Sequence, residues 1–384
     1  MTYFMTQAFN QRIADSLALR KQQGLNRQIA PVALGNHPVL SYQHAEYSNF
    51  SSNDYLGLAG DKELAKAWQQ GIDRYGNGSG ASPLVTGFSH AHQLLEEKLC
   101  QWLGYSRAIL FSSGFSANQA MLFSLLEKGD LLLQDKLNHA SLMEAGMLSP
   151  ATMKRFQHND VSSLTKLLQS NTLVVTEGVF SMDGDTAPLA QIDQAIEGKA
   201  WLAVDDAHGI GVLGHQGRGS CDAAGIKPQL LVVTFGKAFG LSGAAIMCDQ
   251  AIGDYLTQFA RHHVYSTAMP PSQAHALSHA VDMITMQQWR RDKLSELYYH
   301  YDKALQDVTG YQYTETPIKP FIVGQSDKAV LLSQQLKSRG QWLTAIRPPT
   351  VAKGKARLRI TLTANHSVNQ ITHLADELKA LIEG

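Results

Sequence analysis

Six short apolar runs mark the middle of this chain, separated by stretches of helical pattern, and that alternation limits the available folds more than any other feature. The runs are AILF (108–111), LLLQ (131–134), LVVTEG (173–178), WLAVDD (201–206), LLVVTFG (230–236) and AAIMC (244–248). A further strand is expected near Met153–Phe156, and helices from Phe115 to Leu126, from about His139, over 160–169 and over 189–197. Strand and helix in turn imply βαβ units and a mostly parallel sheet with helices on both faces. From about residue 272 the pattern changes to long helices reaching 308. FIVG, a helix over 326–339, RLRITLT and a helix over 367–382 then make a smaller α+β unit.

Ahead of the sheet, residues 5–23 read as an amphipathic helix carrying Ile13, Leu17 and Leu19. A stretch with Pro31, Gly35 and Pro38 follows, then an extended piece at Tyr47–Phe50 and helices over 61–75 and 90–103. The expected organisation is an N-terminal segment (1–50), a large α/β domain (51–290) and a small C-terminal α+β domain (291–384). A length of 384 residues suits two or three packed units.

Charge narrows the functional classes. Lys plus Arg equals Asp plus Glu, 33 against 33, so no basic excess is available for nucleic acid. Cys100, Cys221 and Cys248 are scattered and form no CxxC pair, which argues against a disulfide framework or a metal site. Reduced thiols, an N-terminus broken by Asp15 where a leader needs an apolar core, and no run of membrane-spanning length point to the cytoplasm.

Four segments carry chemistry. In VVTFGKAFGLSG, Lys237 directly follows an apolar strand among Gly236, Gly240 and Gly243. Partial burial lowers an amine's pKa and frees its lone pair for a Schiff base; a surface-loop lysine fits this segment equally well. Thr234 stands three residues earlier. In WLAVDDAHGIGVLG, Asp205 ends a strand, the side from which open α/β sheets bind ligands. An acid there can keep a pyridine nitrogen protonated and make the ring an electron sink, with His208 in reach of a ring hydroxyl. A strand-end cap and a loop histidine are the plainer alternatives. Gly209, Gly211 and Gly214 spell GxGxxG, but the following HQGRGS is loop-like where a dinucleotide fingerprint needs a helix. In FSSGFSANQAM the turn into a helix offers free N–H groups to an anion, and Gly114 permits close approach. In DKLNHASLMEA, His139 follows a strand and could stack on an aromatic cofactor or simply cap a helix.

SSNDYLGL, FSSGF, NHAS, TEGVFSMDGD, DDAHG and TFGK occur in an order that resembles the α-oxoamine synthases, fold-type I pyridoxal-phosphate enzymes, from about residue 10 to the C-terminus. The resemblance implies a large domain with a seven-stranded, mostly parallel sheet and a smaller C-terminal domain. It implies pyridoxal 5'-phosphate held by Lys237, Asp205 at the pyridine nitrogen, His139 on the ring, and His208 and Ser181 near the phenolic oxygen. Gly114, Phe115 and Thr234 belong to the phosphate end, with Thr267 in YSTAMPP reaching across a homodimer interface. Asn53 lies near the reacting centre, and Glu177 faces the cofactor pocket.

For substrate the resemblance implies Arg347 as the carboxylate grip with Arg359 assisting, and Arg27 and Thr350 at positions that approach the acyl-donor or substrate side. A forked guanidinium suits a carboxylate. Arg357, which alternates with Arg359 on the strand, is expected on an exposed face. VTEGVFSMDGD, GSGASPLVTGFSHAH and AIRPPTV are most similar to the branch joining L-alanine to a pimeloyl thioester, on coenzyme A or an acyl carrier protein. Siblings take glycine with acetyl- or succinyl-CoA, or serine with a fatty acyl thioester. Ala81 and Ile210 depart from the glycine and threonine expected there, which bears on channel shape and not on catalytic groups.

Overall fold

The computed structural model describes residues 2–383, with side chains from Ala8 onward. Thirteen strands lie among these residues: β1 (Val39–Tyr42), β2 (Ala45–Asn49), β3 (Arg107–Phe111), β4 (Leu131–Asp135), β5 (Thr152–Phe156), β6 (Thr172–Glu177) and β7 (Ala200–Asp205), then β8 (Leu230–Thr234), β9 (Ala244–Cys248), β10 (Ile318–Gly324), β11 (Gln341–Trp342), β12 (Thr344–Ile346) and β13 (Ala356–Thr361). The first five helices are α1 (Thr2–Gln22), α2 (Lys62–Tyr75), α3 (His90–Leu103), α4 (Gly114–Leu125) and α5 (Ala140–Leu148).

Seven strands form the central sheet in the order β3-β9-β8-β7-β6-β4-β5. Only β9 runs against its neighbours; the pairs β8–β7, β7–β6, β6–β4 and β4–β5 are parallel. Every residue of β4, β6, β8 and β9 is buried, as continuous apolar runs covered on both faces require. The edge strand β5, TMKRF, is mostly exposed and carries two cations, which discourages pairing with another sheet. Leu133, Val174, Val204 and Val233 pack toward one helical layer, and Leu132, Val175, Ala203 and Val232 toward the other. Each fully buried side chain of this kind contributes about 1.5–3 kcal/mol.

The antiparallel sheet β10-β13-β12 packs with the helices Trp289–Leu305, Ser326–Ser338 and Val368–Glu383 around Phe321, Leu358, Ile360 and Leu374. A third sheet, β1-β2-β11, was foreshadowed only by the extended piece at Tyr47–Phe50. Its hairpin turns at Gln43 and His44, both at positive φ (49° and 64°), without the Asn-Gly or Asp-Gly pair that announces such a turn. Trp342 holds this sheet by edge contacts to Tyr42 and Tyr47.

Two expectations change. Helix α1 forms, but Ile13, Leu17 and Leu19 are all more than half exposed, so its apolar positions have no partner among the described residues. Arg357 is not on an exposed face: it is 5% exposed, because the turn after β6 covers β13, and it pairs with Asp183 while donating to the Met182 carbonyl at 3.2 Å.

Candidate active site

Parallel strands end their ladders on the same side, so the residues closing β6, β7 and β8 arrive together. Glu177 and Asp205 are register partners on adjacent strands, and Thr234 ends the next. With Lys237, three residues past β8, they line one cavity against the start of α4 and against His139 and His208. An outer cavity shares Asn53, His139, His208 and Lys237 and adds Ser181, Thr344, Ile346 and Arg359.

Lys237 is held by a tight loop in which Gly240 donates its N–H to the Lys237 carbonyl at 2.9 Å. Gly240 has φ +67°, and a Cβ there would stand 2.3 Å from the Ala59 amide nitrogen, so only glycine lets the loop seat against that backbone. Burial depresses the Lys237 ammonium below its usual range, although Asp205 and Glu177 pull the other way. The amine is therefore deprotonated, and so free to act as a nucleophile or to take up a proton, more readily than that of an exposed lysine.

Asp205 accepts from Asn118 Nδ2 at 2.6 Å and from the Ala207 N–H at 3.0 Å. Asn118 also donates to Ser141 Oγ, and Ser141 sits against His139. The neighbouring Asp206 has a different task. It accepts from both the N–H and the hydroxyl of Ser220, at 2.8 and 2.5 Å, and burial pushes its carboxyl up to about 7. Of the two acids, then, Asp205 faces the cavity and Asp206 braces the following loop. Burial next to Asp205 drives Glu177 well above the ordinary carboxylate range, and its Oε1 has no partner. A neutral carboxylic acid beside a carboxylate avoids placing two like charges on paired strand ends.

His139 caps α5: its Nδ1 accepts the Ser141 N–H at 3.2 Å, with Ser141 Oγ at 2.8 Å. It both caps the helix and lines the cavity. Burial first, and the Lys237 charge next, lower its pKa. His208 is driven further down by burial, Lys237 and Arg359. Its Nδ1 lies 2.5 Å from the hydroxyl of the fully buried Tyr55.

At the far end, Ser112, Ser113, Gly114 and Phe115 bring the α4 N-terminus to the cavity beside Thr234. Ser113 caps the helix by accepting the Ser116 N–H. The first turn of any helix has N–H groups with no helical acceptor, which suits an anion. The Thr234 hydroxyl is buried without a partner, and a Cβ on Gly114 would meet Thr234 Cγ2 at 2.6 Å. A buried orphan hydroxyl, a helix start and a position that excludes a side chain form a cradle that could hold a phosphate.

Arg359 is fixed before any ligand arrives. It donates to the Ser181 carbonyl at 2.6 Å, Asn53 Oδ1 at 2.9 Å and Thr361 Oγ1 at 3.1 Å. Arg347 is half-buried one residue beyond Ile346 at the cavity lip, its guanidinium 3.8 Å from where a Gly24 Cβ would lie. Arg27 and Thr350 are exposed, and none of these three lines either cavity. Thr267 is exposed and lines a separate crevice with Phe88, Ser112 and His262. Ala81 and Ile210 stay outside the two cavities, Ile210 in the core. Sequence reasoning missed Asn118 and Tyr55. Asn118 lies one helical turn past Gly114, a spacing that signals a shared face. Tyr55 had no such signal, because its role depends on His208, far away in sequence.

A lysine on a loop past β8, an acid ending β7 and a phosphate cradle at a helix start, on a seven-stranded sheet with one antiparallel strand, define a fold-type I pyridoxal-phosphate enzyme. A family model described as aminotransferase class I and II matches residues 45–378. The chain is 63% identical over 381 residues to the 8-amino-7-oxononanoate synthase of Vibrio cholerae serotype O1, covering 99% of each chain. Among solved structures it is similar to serine palmitoyltransferase from Sphingomonas wittichii, with TM-score 0.88, 28% identity and 98% of both chains covered. It is also similar to 8-amino-7-oxononanoate synthase from Francisella tularensis, with TM-score 0.76, 31% identity, 86% of this chain and 98% of that one covered. The chain belongs to the 8-amino-7-oxononanoate synthase family.

Proposed function

We propose that this protein condenses L-alanine with a pimeloyl thioester, on coenzyme A or an acyl carrier protein, to give 8-amino-7-oxononanoate, CO2 and the free thiol carrier, a step of biotin biosynthesis. The observation that carries this reading is Lys237 and Asp205 facing one cavity whose other end is the Gly114–Thr234 cradle. Bound pyridoxal phosphate supplies a carbonyl for amines and a protonated ring that accepts the electrons left at the substrate α-carbon.

The chain's own groups do the rest. Lys237 holds the cofactor and, once displaced, its pKa-depressed amine takes the proton from the alanine α-carbon. Asp205, held by Asn118 and the Ala207 N–H, remains an acceptor for the ring N–H. Gly114, Phe115 and Thr234 receive the phosphate, and His208 and Ser181 stand at the phenolic oxygen. Arg347 grips the substrate carboxylate, assisted by Arg359, whose ties to Ser181 and Asn53 pre-set its direction. His139, with Nδ1 occupied by Ser141, would leave Nε2 to hydrogen-bond the acyl oxygen. Arg27 and Thr350 meet the acyl donor at the rim.

Thr267 serves the phosphate of a second copy in a homodimer. Supporting this, the segment around it exposes Tyr265 (77%), and the nearby turn exposes Val85 (74%). No helix among the described residues is long and apolar enough to cross a membrane. A nicotinamide site at Gly209–Gly214 is disfavoured: Gly209 packs against Ser220 and Asp206, and a single 3-10 turn follows where a helix would be needed.

The test is turnover after reconstitution with pyridoxal phosphate, pairing alanine, glycine or serine with pimeloyl-, acetyl- or palmitoyl-CoA. Alanine with pimeloyl-CoA is expected to be fastest, and Lys237→Ala to lose both turnover and the visible cofactor band. Faster turnover of glycine with acetyl-CoA would assign the chain to the sibling reaction.

A further inference from the structure

Tyr55 lines neither cavity, and its burial is complete. Its hydroxyl is 2.5 Å from His208 Nδ1 and 3.4 Å from Asn53 Oδ1. A phenol has one proton to give. The first distance is a short hydrogen bond, and the second lies outside the range of a good O–H···O bond. Asn53 Oδ1 is already taken by Arg359 Nη1 at 2.9 Å, and the Arg359 charge lies near the phenol, drawing the oxygen lone pairs toward it. The hydroxyl proton therefore points at His208.

We infer that Tyr55 is a positioning residue that fixes the tautomer of His208: its O–H donates to Nδ1, so the ring proton resides on Nε2, the nitrogen left to the cavity. Loss of the Tyr55 proton does not intervene, since burial raises the phenol to about 12, and His208 stays neutral because burial and the charges of Lys237 and Arg359 oppose its protonation. Among the described residues Nε2 has no hydrogen-bond partner, and His208 lines both cavities.

His139 arrives at the same state by a different route. Its Nδ1 faces the Ser141 backbone N–H, a group that can only donate, so its proton too sits on Nε2. The two cavity histidines thus form a matched pair of N–H donors, suited to an oxyanion and unsuited to a cation. The first is set by Ser141, whose N–H and hydroxyl both meet His139 Nδ1, and the second by the phenol of Tyr55.

This inference rests on the functional reading for its consequence, a hydrogen bond from His208 to the phenolic oxygen of the cofactor, but its test does not. The protein is labelled with [15N]histidine, and His208 is assigned by the signal missing from His208→Asn. Long-range 1H–15N correlation then separates the protonated ring nitrogen from the bare one. In the wild-type protein, Nε2 is expected to carry the proton and Nδ1 to show the shift of a hydrogen-bonded acceptor. In Tyr55→Phe, which removes one oxygen, the Nδ1 resonance moves to that of an unbonded nitrogen, while the melting transition shows that the fold is kept.

A proton on Nδ1 in the wild type overturns the proposal, as does a His208 spectrum that Tyr55→Phe leaves unchanged. In the reconstituted enzyme, the same variant is expected to lower kcat on the order of tenfold, with the alanine KM nearly unchanged and the pH midpoint of the visible cofactor band displaced. A lower melting temperature with no displacement of the band would reduce Tyr55 to a packing role. If no cofactor binds at all, the functional reading fails and the tautomer result stands separately.

Discussion

At the floor of the cavity, Glu177, Asp205 and Thr234 close three adjacent parallel strands, and none is more than 6% exposed. The proposed substrate groups lie outside both cavities, Arg347 and Thr350 on the loop between β12 and β13 and Arg27 on the coil after α1. The floor groups are held by ladder hydrogen bonds and by partners such as Asn118 and Ser141, so their spacing is set before a ligand enters. Of the rim groups, Arg27 and Thr350 are exposed and Arg347 is half-buried. On the proposed assignment the reaction type belongs to the sheet and substrate choice to the loops, in keeping with the similarity of this fold to both an 8-amino-7-oxononanoate synthase and a serine palmitoyltransferase.

Three measurements break or sharpen that contrast. The largest effect is expected at the floor. Asp205→Asn keeps the shape but removes the charge opposite Lys237, and kcat should fall by roughly 10²–10⁴-fold while cofactor is still retained. A near-wild-type rate would remove the electron-sink role from Asp205. At the rim, Arg347→Ala should raise the alanine KM roughly ten- to hundredfold, the scale of a lost charge-assisted pair, and leave the melting temperature unchanged. A drop in stability there would show that the rim is as structural as the floor.

The smallest effect is expected at the seam between floor and wall. His158 bridges Asp135, at the end of β4, and Asp185, on the turn that carries Ser181, at 3.0 and 2.8 Å. These two carboxylates outweigh its burial and raise it from 6.5 to about 10. A histidine whose folded pKa is raised adds stability that is fully present below pH 6.5 and is lost as pH rises through about 10. The wild-type melting temperature should therefore fall across that window by more than that of His158→Gln. Parallel curves for the two proteins would show that the bridge contributes nothing measurable.

The sheet was legible because its strands are continuous apolar runs, a pattern imposed by burial on both faces. Lys237, Asp205, His139 and the Gly114 turn could be singled out because each closes such a run or follows it within five residues, where the chain leaves the sheet. The hairpin at Gln43–His44 was not, since its turn residues carry no signature and its support comes from Trp342, some 300 residues on. The exposure of Arg357 was misread because alternation along β13 tells which residues share a face but not what covers that face.

From its order of residues alone, then, this chain determined which groups end strands and begin helices, because local hydrophobic pattern and turn chemistry act over a few residues. Only the tertiary structure decided which of two adjacent acids faces the cavity, which arginine is anchored and which hydroxyl meets Nδ1 of His208. Each of those depends on a partner brought from a distant part of the chain, Asn118 to Asp205, Asn53 to Arg359 and Tyr55 to His208, and no local pattern encodes such a meeting.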